Sequence, residues 1–236
     1  MSATPASISS QIFKLYQYVF KSRKHILEML DDRGFDVSDI NNYTEDEIKV
    51  MLNNHRIGKY EGKSEIGPLD IFLSKKNGDD IEKIYVKYRL DDRFKKTTNL
   101  QTQINEVFET LLNTKDTFII LNIGRVLLKA SNKDKPDEEF MNHLYITKGC
   151  FVQLFGLENF LFNVSRHHFV PKHRILSKKE LQDILAKFNC TFKNLPTIKR
   201  DDPQAKYLGL RPKQVCEITN INISSGTSIR YRLCTL

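Results

Sequence analysis

Ser177-Lys178-Lys179-Glu180, followed by Asp202-Pro203-Gln204-Ala205-Lys206-Tyr207-Leu208-Gly209, decides the fold of the last third of this chain. The first stretch is a capping box. The serine hydroxyl and the glutamate three residues on can each satisfy the other's open backbone N–H, with Leu176 and Leu181 at the staple positions. It predicts a helix to about Phe188 through Leu181, Ile184 and Leu185. The second stretch places an aspartate N-cap before a proline at the first helical position, and Gly209 closes the short helix. Residues 214–220 and 228–233 then read as two strands. Ile229, Tyr231 and Leu233 alternate with Arg230 and Arg232, which gives one apolar and one basic face. The basic face reads as a protein or phosphate contact, or as a solvated strand face. The segment 165–236 is therefore a small α+β module.

Upstream, residues 1–7 are small and polar and read as disordered. From Ile8 an apolar stripe of Ile12, Leu15, Tyr16, Val19, Phe20, Ile26, Leu27 and Leu30 predicts a helix, ended by Gly34. Thr44 and Glu47 form a second capping box for a short helix to Leu52, and residues 55–67 read as a loop. Strands are predicted at 69–73 and 84–88, turned at Asn77-Gly78, and a helix through Leu100, Ile104, Val107, Phe108, Leu111 and Leu112. The run 118–123 reads as a strand buried on both faces. Residues 133–137 form a charged loop, and Pro136 with the acids after it starts a helix. Residues 150–155 and 160–164 read as strands. The order β-β-α-β-α-β implies a mixed sheet flanked by helices in a domain spanning 8–162.

The chain has 236 residues, with 37 Lys+Arg against 29 Asp+Glu, a net +8. From residue 165 onward 14 basic residues face 5 acidic ones, +9, which leaves the preceding part at −1. A basic module meets nucleic acid or an acidic protein surface. No apolar run reaches the ~18–20 residues of a membrane span, and Lys14, Lys21 and Arg23 interrupt any secretory pattern. Cys150, Cys190, Cys216 and Cys234 are scattered without a C-x-x-C pair, and His167-His168 points to opposite faces of an extended chain. The reading is an intracellular protein with no metal, no cofactor, no membrane association and no small-molecule substrate.

The blocks His168-Phe169-Val170-Pro171-Lys172-His173, the Ser177 helix, Leu195-Pro196-Thr197-Ile198, the Asp202 helix through Leu210, Gln214-Val215 and Tyr231-Arg232-Leu233 follow one family in order. They resemble the fifth subunit shared by the eukaryotic nuclear DNA-directed RNA polymerases. The much shorter archaeal counterpart of that subunit resembles this C-terminal part alone. Asp32-Arg33-Gly34-Phe35 after the long helix is similar to an element of the eukaryotic form, and the upstream elements fall in its order. The resemblance implies a non-catalytic polymerase subunit. Its C-terminal module, of the archaeal type, would dock on the largest subunit, with Asp202, Pro203, Tyr207, Gly209, Arg211, Gln214, Arg230, Tyr231 and Arg232 as partner-binding residues. The N-terminal module would form part of a jaw that touches downstream duplex DNA weakly, with Arg125 and Lys129 as candidate contacts. Departures exist. Lys213 stands where the family has glycine, Asn220-Ile221-Asn222 replaces Arg-Pro-Ser, and a Thr-Pro-Ser-Ala segment is missing around residues 125–131.

Two rival readings follow from the residues. The N-terminal order resembles the restriction-endonuclease-like fold, whose nucleases hold Mg²⁺ with an Asp and an acid-x-Lys. Asp70 and Lys87 suit those places, but the acid position is Tyr85, which cannot neutralise a hard cation. No phosphate-binding glycine loop and no G-x-S-x-G elbow is present. The other rival is a stand-alone nucleic-acid-binding module, with Arg211, Lys213, Arg230 and Arg232 on phosphates. The resemblance implies a nuclear location if the protein is cellular. Its abundance of Lys, Ile and Asn and its departures also suit a large DNA virus, and then a cytoplasmic factory or virion.

Overall fold

The computed structural model describes residues 5–40, 42–57, 67–77, 80–90, 97–122, 135–222, 224 and 226–236. Gly78, Ile123, the first part of the charged loop before Lys135, and Arg125 with Lys129 lie outside the described residues. The chain is α+β and divides into two units, Met1–Phe162 and Asn163–Leu236.

The N-terminal unit carries a four-stranded sheet in the order β1-β2-β3-β4. Strands β1 (Ile71–Asn77) and β2 (Asp80–Arg89) run antiparallel, with Asn77 paired to Asp80. Strands β3 (Thr117–Asn122) and β4 (Phe151–Gly156) continue the sheet in parallel, joined by α4 (Lys135–Lys148), while α3 (Thr97–Thr110) joins β2 to β3. Parallel neighbours need such crossovers, and the middle strand β3 is buried along most of its length. Leu100, Ile104, Val107, Met141 and Leu144 of the crossover helices pack on Tyr85, Phe118, Ile120 and Val152 of one sheet face. Helix α1 (Pro5–Asp32) is tied to the other side. Arg33 just beyond it donates to Gln153 of β4 at 2.9 Å, and Arg23 donates to the Leu69 carbonyl at 2.8 Å. The unit is a three-layer α/β/α arrangement.

Local signals account for most element ends. Helix α2 (Glu45–Ile57) opens on the capping box: Glu47 N–H donates to Thr44 Oγ1 and Thr44 N–H to Glu47 Oε2. Gly34 adopts φ +82°, the left-handed conformation that ends α1. Three expectations need correction. Helix α1 begins at Pro5, inside the stretch read as disordered, and α2 runs on to Ile57, into the stretch read as a loop. Phe20 is exposed rather than part of the buried stripe. Residues 160–164 form no strand: 3-10 turns occupy Leu157–Phe160 and Val164–Arg166, and Asn163 accepts from Ser165 N–H. A short polar side chain there offers the backbone a local partner that outcompetes a ladder.

The C-terminal unit holds a second mixed sheet, ordered β5-β7-β8-β6. Its strands are β5 (Lys172–Ile175), β6 (Thr197–Lys199), β7 (Val215–Asn222) and β8 (Gly226–Thr235). Helix α6 (Pro203–Leu208) packs on one face, where Ala205, Leu208 and Leu210 meet Ile175, Ile198, Cys216, Ile218 and Cys234. Helix α5 (Lys178–Lys187) has the predicted capping box but no buried residue. None of the described helices is long and apolar enough to cross a membrane.

Candidate functional site

The N-terminal unit does bring Asp70, Tyr85 and Lys87 together at the start of the sheet. Asp70 Oδ2 accepts from Tyr85 Oη at 2.8 Å and from Gly67 N–H at 2.8 Å, while Oδ1 accepts from Tyr88 N–H at 2.9 Å. Burial pushes the Asp70 carboxyl up, and the three donors together with the Lys87 charge pull it back. Burial, then the Asp70 charge, drives the Tyr85 hydroxyl far above its ordinary range, so it stays a proton donor. The residue in the acid position of the nuclease pattern thus spends its hydroxyl on the carboxylate that a metal would need. Both Asp70 oxygens are engaged inside the protein, and the group works as a clamp between the Gly67 turn and β2. Among the described residues no three His, Cys, Asp or Glu side chains gather as metal ligands.

In the C-terminal unit the nine residues expected to bind a partner fall into different roles. Asp202 caps α6 by accepting from Gln204 and Ala205 N–H, Pro203 fills the first turn, and Gly209 ends the helix at φ +69°. Asp202→Ala should lower the stability of this unit by about 1 kcal/mol, read from its urea transition. Tyr207 Oη accepts from Asn163 Nδ2 at 3.0 Å, and Gln214 Oε1 accepts from Arg211 N–H at 2.8 Å. These side chains build the unit's own frame. Of the nine, Pro203 and Arg230 are exposed; Arg232 is half-buried and donates to the Thr197 carbonyl at 3.0 Å, and Tyr231 meets the Phe188 ring at 6.1 Å.

The strand register corrects the assignment of faces. Cys216 pairs with Arg232 and Ile218 with Arg230, and paired residues share a face. The two arginines therefore lie on the α6 side, beyond the core, and not on a separate solvent face. The opposite face carries Val215, Glu217, Thr219 and Ile221 against Leu233, Tyr231, Ile229 and Thr227. Its outer half is open: Ile229 is 52 % and Ile221 72 % exposed. Alternation alone finds the apolar set but not its exposure, because that depends on how little of the face α5 covers.

Lys213 takes φ +73°, so the turn keeps the left-handed residue that glycine would supply, and the lysine Cβ is strained there. Lys213→Gly should raise the unit's stability by about 0.5–1 kcal/mol in urea unfolding. In the α5 capping box, Glu180 accepts from Ser177 N–H at 2.8 Å and from Arg174 at 2.6 Å. The Ser177 amide first, then Arg174, lowers its pKa from the ordinary 4.5 to about 2. A depressed carboxyl stabilises the fold above its unfolded pKa. That contribution should fade as pH falls from about 4.5 towards about 2, and Glu180→Gln should remove this part of the acid dependence of the melting temperature. Cys150, Cys216 and Cys234 are buried free thiols, and burial pushes Cys234 up to about 12.

Comparison with known proteins converges on one family. The family model described as "RNA polymerase Rpb5, C-terminal domain" matches residues 162–234. "DNA-directed RNA polymerases IV and V subunit 5B" of Arabidopsis thaliana is 29 % identical over 227 residues, 96 % of this chain and 93 % of that protein. "DNA-directed RNA polymerases I, II, and III subunit RPABC1" of Caenorhabditis elegans is 26 % identical over 224 residues, 91 % of this chain and 94 % of the relative. "DNA-directed RNA polymerase subunit Rpo5" of Archaeoglobus fulgidus is 40 % identical over 72 residues, 30 % of this chain but 95 % of the archaeal protein. The small archaeal protein thus aligns with a stretch the length of the C-terminal unit, and the eukaryotic relatives span both units. The chain belongs to the Rpb5/Rpo5 family of RNA polymerase subunits.

Proposed function

We propose that this protein is a non-catalytic subunit of a multisubunit DNA-directed RNA polymerase. The observation that carries the reading is its collinearity with a polymerase subunit over 96 % of its length. In this reading the C-terminal unit docks on the largest subunit and supports assembly. The N-terminal unit forms part of the jaw beside downstream duplex DNA. The occupied Asp70 carboxylate supports a non-catalytic role. A net charge of −1 before residue 165 limits DNA contact to few phosphates, because non-specific affinity grows with the number neutralised. Likeness to the eukaryotic relatives supports a nuclear location; in a virus the protein would work where the viral polymerase does.

Arg230 is the cleaner probe of docking, since Arg232 is also used internally. Arg230→Glu should leave the melting temperature essentially unchanged. It should reduce co-purification with the largest subunit several-fold, as charge reversal at an interface rim does. Undiminished co-purification removes Arg230 from the interface.

A further inference from the structure

The open half of the C-terminal sheet is the largest feature of that unit that its own fold leaves unused. On it, Ile221 is 72 % exposed and Ile229 52 %, and Phe188 at the end of α5 is 57 % exposed while touching Tyr231. Scattered exposed apolar residues need no explanation, but a contiguous stripe on one sheet face does. The stripe's charged surroundings are one-sided. Lys172 pairs with Thr219, which pairs with Ile229, so Lys172 stands at the edge of the same row. Lys187 lies beside Phe188 at 5.9 Å from the ring, and Lys199, opposite Thr235, borders the far end. The carboxylates nearest the stripe are already neutralised, because Arg174 donates to both Glu217 and Glu180.

We propose that this face binds an acidic polypeptide segment that lays two or more apolar side chains along Ile221, Ile229, Tyr231 and Phe188, with its carboxylates towards Lys172, Lys187 and Lys199. An apolar centre with a cationic rim favours a partner of that composition. A basic segment would meet like charge, and a nucleic acid has no aliphatic anchors for the two isoleucines. The proposal deepens the docking reading and rests on it only for the identity of the protein that supplies the segment.

The test places the photoreactive amino acid p-benzoylphenylalanine at position 229, and separately at 188, in the full chain within its native cells. The crosslinked peptide is then sequenced. An acidic segment of a polymerase subunit is the expected result. An acidic segment of an unrelated protein would keep this proposal and remove the polymerase reading. A basic or neutral segment, nucleic acid, a second copy of this chain, or no crosslink from either position would overturn the proposal. Lys172→Glu combined with Lys187→Glu should cut the crosslink yield about tenfold while the melting curve is kept, and an unchanged yield would count equally against it.

Discussion

Asp70→Ala is expected to destabilise the N-terminal unit by about 3 kcal/mol. Three donors converge on that carboxylate: the Tyr85 hydroxyl and the Gly67 and Tyr88 amides. Hydrogen bonds to a charged group contribute roughly 1.5–3 kcal/mol each, and a buried donor left unpaired costs about 1–3. Burial of the carboxylate, which pushes its pKa up, offsets part of this and keeps the net well below the sum. In a unit of this size the melting transition should fall by roughly 6–12 °C. Tyr85→Phe, which removes one donor and leaves two, should cost only about 1–1.5 kcal/mol. Were Asp70 instead a metal ligand, its removal would relieve repulsion in the metal-free protein, and the transition would rise. The sign of the shift therefore separates a clamp from a catalytic remnant.

Phe118→Ala should cost more, about 3–5 kcal/mol. The ring is 1 % exposed, stacks on Tyr85 at 5.3 Å and 8°, and meets Phe108 edge-on at 6.3 Å. It sits on the middle strand, so the surrounding sheet and α3 cannot collapse into the space it leaves. Urea unfolding of the N-terminal transition measures the loss, and a value below about 1 kcal/mol would contradict this packing. Tyr85 touches both Phe118 and Asp70, so the two substitutions should not add. The double variant should fall short of the sum by about 0.5–1.5 kcal/mol. The C-terminal transition, which Asp202→Ala and Lys213→Gly move in opposite directions, should stay in place in all of these variants.

Features that depend on a few neighbouring residues are legible in the sequence. Thr44 with Glu47, Ser177 with Glu180, and Asp202-Pro203 with Gly209 all cap as their spacing requires, because capping is decided within one turn of helix. The buried strand at Phe118 shows itself as an unbroken apolar run. Features set by distant partners are not legible in this way. The Asp70 clamp joins residues fifteen and eighteen positions apart through the β1–β2 pairing. The position of Arg230 and Arg232 on the α6 side follows from their register with Cys216 and Ile218, which alternation within one strand does not reveal. Several residues that the resemblance implies as partner contacts, Tyr207 and Gln214 among them, carry the unit's internal hydrogen bonds. A residue pattern shared across a family marks what the fold needs as readily as what a partner touches, and only placement tells the two apart. Lys213 shows the reverse case. The residue departs from the family, yet the backbone keeps the glycine conformation because the Lys213 N–H to Cys234 carbonyl bond, 2.9 Å, holds the turn.

The central claim is membership of a working polymerase, and affinity purification of the tagged full chain from its native cells tests it most directly. Mass spectrometry of the stoichiometric partners should recover the two largest RNA polymerase subunits, in complexes that survive moderate salt. A protein recovered alone, or bound only to nucleic acid, would contradict the account and leave the family relationship as a record of ancestry.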